Sequence, residues 1–387
     1  MGMGKDIFEI TVNGLKLVVI FLMMVQAVPI LVWLERRGSA FIQNRLGPNR
    51  VGPLGLMQLL ADAVKFLTKE NFVPDTAKPL LYYAAPIFAL IPGAVAFSAI
   101  PMSTPIQIGT FEMFGSTWGP YTFLVQGYDI GVGIVFILGV SSLAAYTLLM
   151  AGWGSGNKYS LMGALRASAQ TISYELALGL SIVGVIMLYG TFNLQDMTLA
   201  QQGPLHFSFF GYTVTANWLP NWGIFYQPLG ALLFFTTTFA ESNRLPFDLA
   251  EGESELVAGF HTEYGGFKFN MFFIGEYGHM MIASGLMALF FFGGFGIPYV
   301  SVAQVQEWAT SVTSTAGGAS ALTALVHFLS FFVKFAFFLW VFIWVRWTLP
   351  RFRYDQLMDF GWKTLLPWAL ANTIITAFVI YIASLGV

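Results

Sequence analysis

LVVIFLMMVQAVPILVWL, residues 17–34, holds a single polar side chain, Gln26, and stops abruptly at Glu35-Arg36-Arg37. A helix needs about 20 mainly apolar residues to cross the hydrocarbon core of a bilayer. This run meets that need and ends in charge, as a span emerging at a membrane surface should. Working outward, the 387-residue chain repeats the pattern. Eight apolar runs of spanning length fall at about 12–34, 80–101, 127–151, 164–189, 224–242, 271–293, 322–345 and 364–384. Lipid offers no partners for bare backbone amides, so helices are the expected spanning form, and no β-barrel alternation is visible.

Composition agrees. Hydrophobic residues make up 56% of the chain and charged residues 10%, where soluble domains carry about 25% charge. The expected fold is an all-α integral membrane protein, one membrane domain over residues 1–387. The net charge of −2 gives no sign of nucleic-acid binding. With no cysteine, the chain can hold neither a disulfide nor a thiolate-ligated iron–sulfur cluster. The first apolar run lacks a small-residue cleavage site, so the first helix is expected to be retained.

Lys and Arg sort the loops. Loops 35–79, 152–166, 241–270 and 346–363 carry 7, 2, 2 and 4 of them, 15 of the chain's 18. Loops 102–126, 190–223 and 294–321 carry none. Basic loops stay on the cytoplasmic side, which sends both termini to the periplasmic face. A bacterial inner membrane is the expected setting, with the mitochondrial inner membrane as the alternative. One segment is too short to cross. Over residues 55–69, apolar side chains at 56, 59, 60, 63, 64 and 67 share a helical face opposite Gln58, Asp62, Lys65 and Lys69. That pattern predicts an amphipathic helix lying at the cytoplasmic interface, with a cytoplasmic helix capping the bundle as the alternative.

Charges inside apolar sequence are the candidate chemistry, because an ionised group at mid-membrane costs at least about 2.5–3.5 kcal/mol on insertion scales. Asp129, Glu175, Glu241 and Glu276 stand in or at the ends of predicted spans, as do Lys334, His279 and His327. Four such carboxylates can form a proton relay if they meet. Helix-end residues reaching the interface are the plainer account, with most force for Asp129 and Glu241. The two histidines lack the further pair and the cysteines that would favour haem, and read as interhelical hydrogen-bonding groups. The stretch AESNRLPFDLAEGESELVAGFHTEY, residues 240–264, concentrates 6 of the chain's 20 acidic residues: Glu241, Asp248, Glu251, Glu253, Glu255 and Glu263. GWGSGNKY, residues 152–159, lacks the spacing and the preceding strand of a phosphate loop.

Four blocks together carry a family resemblance. They are Glu35-Arg36-Arg37 with QNRLGPNRVGPLGLMQLLADAVKFLTKE (43–70), GWGSGNKYSLMGALRASAQTISYE (152–175), the acidic stretch 240–264, and RWTLPRFRYDQLMDFGWK (346–363). They resemble the family of the H subunits (subunit 1 in mitochondria) of the proton-pumping NADH:quinone oxidoreductase, respiratory complex I. The resemblance covers essentially the whole chain and departs at Trp347 and in the long outer loops.

It implies a translocase subunit without a redox centre or metal of its own. Quinone would be the substrate, and FMN and iron–sulfur clusters would reside in partner subunits. Partners would be the hydrophilic quinone module at the basic loops, and small membrane and antiporter-like subunits alongside. Carried over residue by residue, Glu35, Arg36, Arg37, Asp62, Lys65 and Phe66 would line or gate the quinone entrance. Phe247, Glu251, Glu253 and Glu255 would complete the quinone-binding set at the junction with the hydrophilic arm. Asp129, Glu175, Glu241 and Glu276 would form the carboxylate path. The anchor subunit of a related membrane-bound hydrogenase, without quinone, is the alternative. A stand-alone transporter is disfavoured by the absence of internal repeats.

Overall fold

The computed structural model describes residues 2–113, 116–209, 212–248, 257–313 and 315–385. They form a mostly helical protein. The first half runs α1 (Gly2–Ile42), α2 (Gln58–Thr68), α3 (Pro79–Ser98), α4 (Gly133–Ser141), α5 (Leu143–Gly154), α6 (Lys158–Tyr189) and α7 (Leu194–Ala200). The second half runs α8 (Gly223–Tyr226), α9 (Pro228–Glu241), α10 (Gly266–Phe291), α11 (Val302–Val312), α12 (Ala316–Thr348), α13 (Tyr354–Asp359) and α14 (Leu366–Leu385). A π-helical stretch, Phe360–Leu365, joins α13 to α14.

Six helical stretches are long and apolar enough to cross a membrane: Glu9–Ile42, Pro79–Ser98, Gly133–Gly154, Lys158–Tyr189, Ala316–Thr348 and Tyr354–Ser384. The other two expected spans fall on α9, which has 14 residues, and α10, which has 26. From Met280 to Phe291 every residue of α10 is buried. A helix enclosed on all sides belongs at the centre of a bundle, and α10 packs against α1, α3, α9 and α12. Its contact with α3 is close because Gly275 has no side chain. A Cβ there would lie 2.7 Å from the Ala89 carbonyl oxygen, and small residues let membrane helices approach in this way.

The predicted span 127–151 is not one straight rod. It breaks at Ser142, between α4 and α5. Ser141 Oγ donates to the Leu138 carbonyl at 3.1 Å and Ser142 Oγ to Gly139 at 2.8 Å. Such back-bonding by adjacent serines bends helices.

Pure helix is too narrow a description of the outer loops. Six short strands form three antiparallel pairs there: β1 (Ile106–Ile108) with β4 (Tyr121–Phe123), β2 (Phe111–Met113) with β3 (Ser116–Trp118), and β5 (Pro204–Phe209) with β6 (Tyr212–Pro220). The last runs in register from Phe209↔Tyr212 to Leu205↔Ala216, with an irregularity beyond. Both loops are rich in the aromatic and β-branched residues that suit strands.

Candidate functional site

Glu35 leaves the end of the first apolar run and turns into the protein, where only 5% of it is exposed. A buried carboxylate needs charge and hydrogen bonds around it, and three side chains from distant parts of the chain supply them. Arg244, in the loop after α9, donates through Nη1 to Oε2 at 3.1 Å and Oε1 at 3.3 Å. Tyr277 on α10 donates its hydroxyl to Oε2 at 2.5 Å. Arg346, near the end of α12, pairs with Oε1. The Arg244 guanidinium also lies 4.0 Å from the centre of the Tyr277 ring, a cation–π contact strengthened by burial. Burial works against the charge on Arg244, but Tyr277, Glu35 and Glu276 more than offset it and hold the guanidinium proton more tightly than usual.

Glu35, Tyr277 and Arg346 of this cluster line a cavity of about 430 Å³. Val28, Val32, Phe66, Phe269, Phe273 and Trp347 make its apolar wall, and its polar groups include Glu35, Arg36, Arg45, Tyr277 and Arg346. An apolar cleft with a few convergent polar groups is the usual form of a small-molecule site. The walls come from α1, α2, α10 and α12.

Helix α2 has no buried residue, and Leu60, Val64 and Leu67 are all more than half exposed. Polar contacts tie it to α1. Arg36 Nη1 meets Asp62 Oδ2 at 2.6 Å, and Gln58 donates to the other Asp62 oxygen at 3.1 Å. The loop leading into α2 is pinned at the Leu54 carbonyl by Trp33 (3.1 Å) and Arg37 (3.3 Å). Leu54 has φ +55° and Gly52 φ +72°, the left-handed backbone of a tight turn around Pro53.

A second pair of cavities lies deeper. One, of about 40 Å³, is lined by Glu241, Glu276, His279, Thr147, Thr171 and Asn243 among others. The next, of about 10 Å³, shares Glu241 and His279 and adds Ser141 and Thr238. Glu175 on α6 is near enough for its charge to act on Glu241. Glu276 is likewise near Arg244. The charged groups therefore follow one another from Glu35 through Arg244 to Glu276, Glu241 and Glu175.

The sequence-derived candidates divide accordingly. Glu35, Arg36 and Phe66 line the large cavity, and Asp62 and Arg37 hold its frame. Lys65 lies over the neighbouring Phe66 ring at 4.9 Å. Glu175, Glu241 and Glu276 come together, whereas Asp129 is exposed, accepts from Asn193 at 3.1 Å and lines neither inner cavity. Phe247 lines no cavity of the site. It is buried among Tyr174, Phe352 and Phe360. Glu251, Glu253 and Glu255 lie outside the described residues. The described acids of that stretch part company: Asp248 pairs with Arg351 at 3.1 Å, and Glu263 accepts from Asn157 at 2.6 Å.

Arg244, Tyr277, Arg346 and His279 had no functional assignment from sequence. Arg244 carried a faint signal as the only arginine or lysine of the acidic stretch 240–264. His327, expected to bond between helices, instead has Nδ1 3.0 Å from the Phe295 carbonyl oxygen in the loop after α10.

Comparison with known proteins places the chain. The family model for NADH dehydrogenase matches residues 15–377. The chain belongs to the NADH dehydrogenase family. It is 90% identical over 385 residues to the H subunit of NADH-quinone oxidoreductase from Bdellovibrio bacteriovorus, covering 100% of both chains. It is 41% identical over 372 residues to an H subunit of the NADH-quinone oxidoreductase of Geobacter sulfurreducens, covering 96% of this chain and 97% of that one. With NADH-quinone oxidoreductase subunit 8 of Rhodothermus marinus it shares 43% identity over 354 residues, 92% of this chain and 93% of the relative. As a member of the NADH dehydrogenase family with long apolar helices, it is a membrane subunit of the oxidoreductase complex and works among other subunits.

Proposed function

We propose that the 430 Å³ cavity receives quinone and that the inner carboxylates take up the resulting electrostatic change as proton movement. The observation that carries this reading is the position of Arg244. One buried guanidinium bonds Glu35 at the wall of the large cavity and stands beside Glu276 of the inner one. The apolar wall suits an isoprenoid tail and the Glu35 cluster suits a polar headgroup. Reducing a quinone to a quinol takes two electrons and two protons. Charge arriving near the headgroup acts on Arg244 and Arg346. At an effective dielectric of about 20, unit charges 4 Å apart interact by about 4 kcal/mol. A change of that size at Arg244 is felt at Glu276 and passed on to Glu241 and Glu175.

Around this site the reading is of eight spans, with α9 and α10 completing the six longer helices and α2 lying in the interface at the mouth of the cavity. The basic loops face the cytoplasm of a bacterial inner membrane and the termini face the periplasm. The hydrophilic subunits that bring electrons from NADH through FMN and iron–sulfur clusters dock on the basic side, with Glu251, Glu253 and Glu255 at that junction. The names of the relatives favour quinone over a hydrogenase partner.

The test uses the assembled complex in membrane vesicles. Glu241→Gln should abolish quinone-linked turnover and vesicle acidification while NADH oxidation with ferricyanide persists. Full turnover with full acidification in that variant would remove the carboxylates from the mechanism.

A further inference from the structure

Between Ile274 and Phe291, every residue of α10 is buried except two, Glu276 and His279. They are three apart and so share one helix face. Both keep accessible surface in the enclosed middle of the bundle because they face the inner cavities. Glu276 lines the 40 Å³ cavity alone, whereas His279 lines both that cavity and the 10 Å³ one. Glu241 is the other ionisable group on both walls. The imidazole makes no hydrogen bond with any other described residue, and histidines in protein interiors ordinarily have a partner.

We propose that His279 is a proton-carrying residue that connects the two inner cavities, a role that rests on the proton path proposed above. Glu276 in its acid form gives its proton to one ring nitrogen and becomes a carboxylate, and the imidazole becomes an imidazolium. The opposite nitrogen then releases its own proton to the Glu241 carboxylate. One proton has moved, the ring is left as its other tautomer, and a ring flip restores it. The two nitrogens of a neutral histidine suit this task, one being an acceptor and the other a donor.

The charged groups around the ring are few. Glu276 stands on its own helix, Glu241 at the end of α9, Glu175 beside Glu241 from α6, and Arg244 near Glu276. The cavity-lining residues of α3, α4 and α5 add no ionisable group. A cavity needs roughly 10–15 Å³ of this measure for one water, so the larger one is sized for two or three waters and the smaller for about one. A side chain that exchanges protons at their junction serves where a continuous file of water would not fit.

His279→Asn and His279→Leu should be compared in the assembled complex, with Glu241→Gln alongside. Turnover is normalised to ferricyanide-linked NADH oxidation, so that only assembled enzyme is scored. Both histidine variants are expected to lose quinone-linked turnover and acidification by about a hundredfold, a size typical of a lost proton-transfer group. Residual turnover in His279→Asn should show a larger solvent deuterium isotope effect than the wild type, which a packing defect would not produce. Normal turnover in His279→Asn would overturn the proposal, since a polar wall would then suffice. If Glu241→Gln fails while His279→Asn works, the carboxylate path stands without His279. If both work, the path falls as well.

Discussion

Arg346 and Glu35, 311 residues apart in sequence, form an ion pair inside the protein. The pair ties the end of the first long helix to the end of α12, on the wall of the 430 Å³ cavity. Glu35 answers two guanidiniums at once, since Arg244 reaches it from the other side. Its removal leaves two cations without their shared partner.

Glu35→Ala should therefore be costly. Breaking a buried pair by removing one partner destabilises by about 3–5 kcal/mol. Thermal unfolding of the purified complex in lipid nanodiscs is expected to begin earlier in this variant, at this subunit. An unchanged unfolding profile would mean that the guanidiniums find other anions.

Tyr277→Phe keeps the ring under Arg244 and removes only the hydroxyl that donates to Glu35. A hydrogen bond to a charged group is worth about 1.5–3 kcal/mol. The variant should assemble and bind quinone more weakly, seen as a raised quinone KM with ferricyanide-linked activity intact.

Arg36→Ala tests the frame of the cavity. Arg36 and Asp62 pair near the surface, with side chains 47% and 19% exposed, and such pairs contribute about 0–1 kcal/mol. Global stability should hardly move. Quinone KM should rise, because Arg36 is a main tie between α1 and α2. Raising the salt concentration on the wild type should produce the same change in milder form.

Gly275→Val addresses the α3–α10 contact. The added Cβ would meet the Ala89 carbonyl oxygen at 2.7 Å, backbone that cannot swing aside. Overpacking of this kind costs about 1–3 kcal/mol. Yield of assembled complex and its unfolding midpoint should both fall, and Gly275→Ala should fall between wild type and valine.

Alkaline pH should leave Arg244 untouched. Its proton is held more tightly than in the unfolded chain, so its contribution is complete below the ordinary arginine range and is lost only above it. From about pH 6 to 9, Arg244→Lys should weaken the complex by the same amount at each pH. A loss that grows on acidification alone would contradict this sign.

The membrane fold was legible because spans announce themselves by length and apolar run, and Lys and Arg sorted the loops without reference to contacts. Glu35, Arg36 and Phe66, grouped by the family's blocks, line one cavity. Phe247 packs against Phe352, a contact the sequence could not show, since an aromatic residue beside a charged loop reads the same whether it faces ligand or a neighbouring ring. The partnership of Glu35 with Arg244 and Arg346 spans most of the chain and leaves no local periodicity to read. The break at Ser142 was overlooked because hydropathy counts side chains and not the hydrogen bonds serines make to their own helix. His279 was judged by its type; its position between two cavities exists only once α4, α9 and α10 are assembled.

The all-round enclosure of α10 also has a bearing on the protein's dependence on its lipid. The inner cavities are lined from α10 and its neighbours, so bilayer thickness and headgroup chemistry reach them only indirectly. The large cavity, by contrast, is bounded by α1 and by α2, whose Leu60, Val64 and Leu67 face outward. Lipid composition should then tune how substrate enters the protein, while leaving the inner groups to run in an environment the protein makes for itself.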